Sequence, residues 1–139
     1  MYVNWGGFCG TLKYRMISFM RSMKLKVIPR DQRGKKEKTI SVPDDISLYD
    51  LAEKIVVAYK IDFGHCFGFF GDVESDFYLR SEEKYELFTD LIEEGENLEP
   101  TGALSVKKTK VEDVWKNTGD KMLFMFDYGD SLEWIVELL

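Results

Sequence analysis

The amino-acid sequence predicts an α+β fold: a single domain with a mostly antiparallel sheet of about five strands and two or three helices packed mainly on one face. Three observations support this fold class. Short stretches rich in aromatic and β-branched residues alternate with polar, Gly-containing turns, and an amphipathic helical pattern follows the first pair of them. The chain also ends in two apolar runs, Met122–Phe126 and Leu132–Leu138, on either side of a four-residue turn, as is typical of a β-hairpin.

The length and composition suit one domain in a reducing compartment. A chain of 139 residues buries about two-thirds of the surface that it exposes when unfolded. The aromatic fraction of 14% is high, so large flat side chains are expected to dominate the core. Two cysteines, Cys9 and Cys66, are too few for a disulfide framework, which favours a cytoplasmic location.

Net charge and hydropathy limit the kinds of partner that the sequence predicts. A net charge of -6 makes the molecule as a whole repel phosphate backbones and anionic lipids, so nucleic acid is an unfavourable partner unless a local basic patch binds it. The longest apolar runs are well short of the roughly 20 residues that a membrane helix needs, so no membrane partner is expected.

The first 22 residues are predicted to be a loosely ordered extension, which leaves residues 23–139 as the domain. They lack the basic start and the uninterrupted apolar core of a signal peptide. Within the extension, a short amphipathic helix over Leu12–Met20 is the alternative, because its apolar residues share one face.

The domain opens with a hairpin followed by a helix. Lys24–Pro29 alternates apolar and polar side chains, and Thr39–Val42 returns after a polar turn. Ser47 and Asp50 then form a capping-box-like pattern, which predicts a helix that runs to about Tyr59. The apolar face of this helix comprises Leu48, Leu51, Ala52, Ile55, Val56 and Tyr59. A hairpin followed by such a helix is similar to the opening of a β-grasp fold.

The middle of the chain predicts further short elements. His65–Gly71 reads as an aromatic strand whose glycines permit close packing, and Phe77–Leu79 as another short strand. Ser81 is expected to cap a second helix that runs to about Glu93 and stops at Gly95. The buried stripe of that helix is predicted to be Tyr85, Phe88, Leu91 and Ile92.

An acidic loop and a basic run are predicted to form ion pairs. The acidic side chains are Glu93, Glu94, Glu96 and Glu99, and the basic ones are Lys107, Lys108 and Lys110. The lysines precede a helix N-terminus, where the helix dipole disfavours positive charge, so the acidic loop is expected to compensate them. Leu104–Val106 is expected to be extended. Thr109 and Glu112 predict a capping box for a short helix that ends before Gly119.

The two closing strands are expected to differ in position. Met122–Phe126 is apolar on both faces and should lie centrally, whereas Leu132–Leu138 alternates and should lie nearer an edge. The turn between them is Asp127-Tyr128-Gly129-Asp130, here named the closing motif. Its two aspartates can accept hydrogen bonds from nearby backbone N–H groups, and Gly129 can adopt a positive φ, so turn chemistry alone accounts for the motif.

The closing motif, between an aromatic strand and a strand that contains Trp, resembles the YDFGDxWxH signature of the plasmid pRiA-type Orf-three-like family. Members of that family are found on plasmids and among insertion-sequence accessory proteins. Upstream, Ser41–Tyr59 is similar to the family's strand and following helix, and His65–Phe69 resembles its His-x-x-Phe strand. Val111–Val114 fits the family's short helix before the closing hairpin. The resemblance covers about Lys24–Leu138 and implies an α+β fold, with no established activity.

Two departures from the signature bear on chemistry. Leu132 stands where the family has Trp, and Trp134 stands where it has His. Any reaction that requires the family's His is therefore not expected in this chain.

A metal site is one hypothesis for the closing hairpin. His65, Asp127, Asp130 and Glu133 have ligand types that suit a divalent ion. No other cofactor is expected. Two aspartates in a tight turn more often cap that turn, so we interpret the closing motif first as structural. Cys66 and His65 do not make a nucleophilic pair, because adjacent strand residues face opposite sides.

A basic cluster in the first hairpin turn is a candidate nucleic-acid contact. Arg30, Arg33, Lys35 and Lys36, with Lys38 nearby, could touch a phosphate backbone. No aromatic residues are interleaved among them to stack on bases, so we interpret this cluster as a solvated turn.

The leading functional prediction is a non-enzymatic interaction or accessory module, associated with a mobile element, that binds an unidentified protein through a sheet edge or an aromatic groove. No phosphate-binding, dinucleotide-binding or zinc-protease motif occurs. The alternative is a metal-dependent hydrolase or nucleic-acid-processing enzyme that uses Asp127, Asp130 and His65. The sequence does not predict the oligomeric state.

Overall fold

A computed structural model describes residues 21–139 and centres on a six-stranded sheet. The strands are β1 Ser22–Arg30, β2 Lys38–Pro43, β3 Phe67–Phe70, β4 Lys84–Glu86, β5 Lys121–Phe126 and β6 Leu132–Leu138. Their order in the sheet is β2-β1-β6-β5-β3-β4, and all neighbours are antiparallel. The predicted α+β class is confirmed, with six strands rather than about five. Of the predicted extension over residues 1–22, only the last two residues are described, and the alternative helix over Leu12–Met20 lies outside the described residues.

Three α-helices occur within residues 21–139, together with one turn of 3-10 helix at Tyr78–Arg80. The α-helices are α1 Leu48–Ala58, α2 Leu87–Glu93 and α3 Val111–Val114. Helix α1 begins where predicted, and one half of the predicted capping box is present: Ser47 Oγ accepts a hydrogen bond of 3.0 Å from the Asp50 N–H. The five predicted core residues from Leu48 to Val56 are buried.

The main core lies between one face of the sheet and α1. Aromatic rings dominate it, as the composition predicts: Phe124 stacks on Phe69 at 4.8 Å and on Trp134 at 5.4 Å between ring centroids. Residues of α3 join the same cluster, and Trp115 just after it donates an indole hydrogen bond of 3.1 Å to the Val136 carbonyl. Such ring pairs contribute about 0.5–1.5 kcal/mol each beyond the area that they bury.

A smaller core covers part of the opposite face of the sheet. It comprises Phe70, Tyr78, Leu123 and Met125. The loop that carries the 3-10 helix is held there by two hydrogen bonds, from Tyr78 Oη to Glu133 Oε2 at 3.2 Å and from Arg30 to the Val73 carbonyl at 2.9 Å. Both faces of β5 are therefore buried, as the apolar composition of this strand predicts.

The position predicted for the last strand is wrong. β6 lies between β1 and β5 in the middle of the sheet, paired with β1 from Leu25↔Leu138 to Arg30↔Glu133. Its alternating pattern indicates one partly polar face, which Glu133, Ile135 and Glu137 form. Alternation does not determine how many neighbours a strand has, because the pairing groups lie in the plane of the sheet.

The elements predicted around Ser81 also need correction. Phe77–Leu79 is not a strand, since Tyr78 begins the 3-10 helix. Ser81 does not cap α2, because β4 lies between them in the chain and pairs with β3. The Ser81 hydroxyl instead donates to the Tyr78 carbonyl and accepts from the Asp72 N–H. Pairing between distant strands has here overridden a local helix pattern. The predicted buried stripe is only half-buried along α2, and Tyr85 belongs to β4.

The end of α2 and the start of α3 agree with the predictions in part. Gly95 adopts a φ of 105° after α2. The predicted ion pairs are present, with Lys107 Nζ 2.8 Å from Glu94 Oε2 and Lys108 Nζ 2.6 Å from Glu93 Oε1. The N-cap of α3 is one residue later than predicted, and only the half of the capping box that the Asp113 side chain supplies is present, because a lysine side chain cannot accept a hydrogen bond. The capping residue is Lys110, whose N–H donates to Asp113 Oδ2 at 3.2 Å, while Thr109 Oγ1 donates to the Ser105 carbonyl.

Candidate functional site

The closing motif forms a turn that caps itself. Asp127 Oδ1 accepts hydrogen bonds from the backbone N–H groups of Gly129 at 3.0 Å and of Asp130 at 3.4 Å. The prediction that Gly129 adopts a positive φ is wrong: Asp127 and Ser131 do so, at 67° and 52°. Aspartate tolerates this region because its short side chain bonds to the local backbone.

Tyr128 connects the closing motif to a buried acid. Its hydroxyl donates a hydrogen bond to Oε2 of Glu86 on β4, and its ring lies 4.7 Å from that of Phe88. Glu86 is only 3% exposed, and its Oε1 accepts a second hydrogen bond of 2.6 Å from Thr101 Oγ1. Burial, reinforced by the hydrogen bond to Glu86, raises the pKa of Tyr128 well above its usual range, so this hydroxyl remains a donor at neutral pH.

Gly68 makes room for this buried acid. It lies directly opposite Glu86 in the pairing of β3 with β4. A Cβ at Gly68 would lie 2.9 Å from Glu86 Cγ and equally close to the Phe70 ring. Sequence reasoning missed Glu86, and the available indication was weak: a single acid beside Tyr85 in a segment that also fits a helix.

The structure brings together two of the four candidate metal ligands. His65 Nδ1 lies 3.7 Å from Asp127 Oδ2, with the imidazole edge-on to Phe126. Asp130 is exposed in the turn, and its N–H bonds to Asp127. Glu133 instead lies 3.2 Å from Arg30 Nε and accepts from Tyr78. Within residues 21–139, no group of three or more His, Cys, Asp or Glu side chains is arranged to hold a metal ion.

The surroundings of Cys66 and Trp134 indicate structural rather than catalytic roles. Burial, and secondarily the charge of Glu86, raises the pKa of the Cys66 thiol, which makes it a poor nucleophile at neutral pH. The Trp134 side chain, at the position of the family's His, is fully buried in the main core. Its indole N–H has no hydrogen-bond partner among the described residues.

The basic candidates of the first hairpin separate into two groups. Arg30 pairs with Glu133 on the face of the sheet that carries the smaller core. Arg33 and Lys36 are exposed in the turn between β1 and β2, and Lys35 folds back so that its Nζ lies 5.5 Å from the Trp134 ring centroid. The structure adds Lys60, which follows α1 and which sequence reasoning had not connected with this turn.

Four lysines line one shallow depression beside this turn. The lysine cluster, as it is named here, comprises Lys35, Lys36, Lys38 and Lys60. Together with Gly34, Ala58 and Tyr59 they enclose about 280 Å³. Lys38 Nζ lies 5.2 Å from the Tyr59 ring centroid, and Tyr59 Oη donates to the Lys36 carbonyl at 2.6 Å.

The two edges of the sheet differ. The outer side of β4 is covered by an extended segment, as expected near Leu104: the Leu104 N–H donates to the Lys84 carbonyl at 2.9 Å, and the Glu86 N–H donates to the Leu104 carbonyl at 3.0 Å. In the part of the chain that the structure describes, no strand pairs with the outer side of β2. We call that side, over Lys38–Pro43, the open edge.

The register identifies the groups that the open edge presents. The Asp44 N–H donates to the Arg21 carbonyl at 2.8 Å. Alternate residues of an antiparallel strand bond to the same neighbour, so the residues of β2 whose numbers differ from Asp44 by an even number bond to β1. The numbers of Thr39 and Ser41 differ from it by an odd number, and their N–H and C=O groups point outward. Both residues are exposed.

These features define a small α+β protein whose closing motif is a structural turn and whose described sheet has one open edge. The model of one protein family, described as Plasmid pRiA4b ORF-3-like protein, matches residues 21–139. The chain belongs to this family, as the resemblance of the closing motif predicted.

A solved structure has the same fold. The crystal structure of a protein of unknown function from Methanosarcina mazei Go1 is similar, with a TM-score of 0.63 and 22% sequence identity. The match covers 87% of this chain, which spans 61% of the length of that protein. No curated protein matches the chain. None of the helices described between residues 21 and 139 has the length and apolar character needed to cross a membrane.

Proposed function

We propose that this protein is a non-enzymatic binding module that pairs an extended segment of a protein partner with the open edge, as an additional strand of the sheet. The outward backbone groups of Thr39 and Ser41 carry this proposal. Because the family description refers to a plasmid, we include in it an accessory role in a mobile element.

The chemistry of the open edge suits a specific and reversible contact. Unpaired edges often carry charged residues or proline that hinder aggregation, and here Lys38 and Pro43 occupy the two ends of β2. The N–H and C=O groups of Thr39 and Ser41 offer about four main-chain hydrogen bonds, at a net gain of about 1 kcal/mol each. That total of about 4 kcal/mol corresponds to only millimolar affinity, so contacts with side chains must supply the rest.

A peptide-display selection tests the proposal. Random twelve-residue peptides are selected on the wild-type protein, and their affinities are then measured for two variants of one residue. Ser41→Pro removes an outward N–H and leaves the hydrogen bonds between β1 and β2 intact, whereas Ser41→Ala changes the side chain alone. Selected peptides should bind the Ala variant like wild type and the Pro variant at least about fivefold more weakly, since one hydrogen bond of about 1 kcal/mol is lost. Failure to select any peptide, or equal affinity for both variants at equal thermal stability, would contradict the proposal.

The contact between His65 and Asp127 favours a second candidate function, a metal-dependent hydrolase or nucleic-acid-processing enzyme that also uses Asp130. Thermal melts with Mg²⁺, Mn²⁺, Ca²⁺ and Zn²⁺ separate the two candidates. A rise in melting temperature that Asp127→Asn abolishes would support the second candidate, because Asn can still cap the turn. Equal melts with and without each ion would count against it.

A further inference from the structure

The lysine cluster lies at one end of the open edge. Lys38 is the first residue of β2, and Lys36 precedes it in the turn. Among the described residues, none of the four lysines lies within 4.0 Å of a carboxylate oxygen, whereas nearby Lys26 pairs with Glu37 at 3.9 Å. A concentration of unpaired positive charge in a chain of net charge -6 provides a local attraction for an anionic group.

Two of the four lysine side chains are held in place by neighbouring aromatic rings. The aromatic contacts of Lys35 and Lys38 restrict their side chains, and the hydrogen bond from Tyr59 fixes the backbone at Lys36. Burial lowers the pKa of Lys35, so its charge is incompletely solvated and would be stabilised by a nearby carboxylate. Less side-chain entropy is lost when a ligand meets groups that are already ordered.

The other end of the open edge has the opposite character. A second depression of about 290 Å³ is lined there by Pro43, the last residue of β2, and by Ile46, Asp50, Glu53 and Lys54. Two acids and one lysine therefore line this end, against four lysines at the other. A uniformly anionic strand, such as a nucleic-acid backbone, would meet repulsion along half of its path.

We infer that the segment bound at the open edge is an extended peptide with acidic residues at the end that lies over the lysine cluster. The inference rests on the proposed function and adds the chemistry of the partner to it. The backbone groups of β2 supply affinity independent of sequence, and the lysine cluster selects for charge and for direction along the strand.

Two labelled peptides test the inference by fluorescence anisotropy. One consists of alternating Thr and Val followed by four Glu, so that a peptide antiparallel to β2 places the Glu beside Lys38, the first residue of β2, and the other has four Gln in place of the Glu. The Glu peptide should bind wild type at least tenfold more tightly, and the difference should shrink as salt increases. The triple variant Lys36→Gln/Lys38→Gln/Lys60→Gln should lose this preference. A control triple variant with the same change in charge, at Lys110, Lys116 and Lys121, which are all exposed, should keep it.

The outcomes separate failure of the inference from failure of the proposed function. If Ser41→Pro weakens both peptides but the lysine variant changes neither, strand pairing stands and the acidic partner is overturned. If the Glu peptide binds Ser41→Pro as tightly as wild type, the charge attraction stands without strand pairing, and the proposed function is overturned. No binding of the Glu peptide at millimolar concentration, or equally tight binding of a twelve-nucleotide DNA strand, also overturns the inference.

Discussion

The hydrogen bond between Tyr128 and Glu86 is predicted to stabilise the fold strongly. Tyr128→Phe removes the hydroxyl and keeps the ring against Phe88, 4.7 Å away. It leaves Oε2 of a carboxylate that is 3% exposed without its donor, while Thr101 still bonds to Oε1. Hydrogen bonds to charged groups contribute about 1.5–3 kcal/mol, so we expect the free energy of unfolding to fall by about 2 kcal/mol.

Urea unfolding at pH 7 and 25 °C measures this change. The midpoint should move to lower urea at an unchanged slope, and the melting temperature should fall by about 6–8 °C for a domain of this size. Tyr49→Phe is the matched control. The Tyr49 ring packs 5.3 Å from that of Phe63, and none of the hydrogen bonds found among the described residues uses its hydroxyl, so the change should stay below about 0.5 kcal/mol.

A double-mutant cycle gives the result that would refute this reasoning. Glu86→Gln and Tyr128→Phe are measured singly and together, and a coupling of at least about 1 kcal/mol is expected because the two groups touch. A coupling near zero, or a Tyr128→Phe variant as stable as the control, would show that the buried carboxylate does not depend on this donor.

Three further predictions concern the same part of the molecule. Gly68→Ala should lower the free energy of unfolding in urea by about 1–3 kcal/mol, because the new Cβ would lie 2.9 Å from Glu86 Cγ. Asp127→Ala should cost about 1–2 kcal/mol, because it removes the acceptor of the turn and places alanine at a φ of 67°, whereas Asp127→Asn should stay close to wild type. Burial and the charge of Glu133 raise the pKa of Tyr78 to about 12. An unfolded tyrosine ionises at about pH 10, so the unfolded chain binds fewer protons than the folded one above that pH. The free energy of unfolding should therefore fall between about pH 10 and 12, and Tyr78→Phe should make this decline shallower.

Each of these predictions has its own control. Gly64→Ala also introduces a Cβ, but its nearest neighbour is the exposed carboxylate of Asp62 at 3.0 Å, which can move aside. Asp130→Asn alters an exposed side chain of the same turn and should leave the midpoint unchanged. For Tyr78→Phe, the slope of the unfolding free energy against pH is compared with the slope for wild type, because loss of the hydroxyl shifts the free energy itself at every pH. An unchanged slope would show that another group causes the alkaline decline.

The sequence was informative where a structure depends on neighbouring residues. Helix α1 follows directly from Ser47, Asp50 and the apolar period after them, and all of these interactions span only a few residues. The turn of the closing motif was predictable for the same reason. The exception was the residue that takes the positive φ: glycine adopts it most easily, but the Asp127 side chain provides two hydrogen bonds that favour it there.

Long-range pairing explains what the sequence did not reveal. β6 pairs with β1, more than 100 residues earlier, and its pattern indicates only which face is buried. β4 has three residues, too few for periodicity to distinguish a strand from a helical turn. The buried Glu86 depends on the missing side chain of Gly68, on Thr101 and on Tyr128, which come together only in the folded chain.

The buried contact between Tyr128 and Glu86 lies at β4, on the opposite side of the sheet from the open edge. β4, which anchors Tyr128, is five strand spacings from β2, or about 24 Å at about 4.8 Å per spacing. Side chains this far apart, with no shared partners, should contribute independently. Tyr128→Phe should therefore lower stability and leave peptide affinity unchanged while the protein is folded, and Ser41→Pro should do the reverse. The resemblance to the family signature then reflects how this sheet is stabilised, whereas the partner recognition that we propose depends on β2, outside the signature.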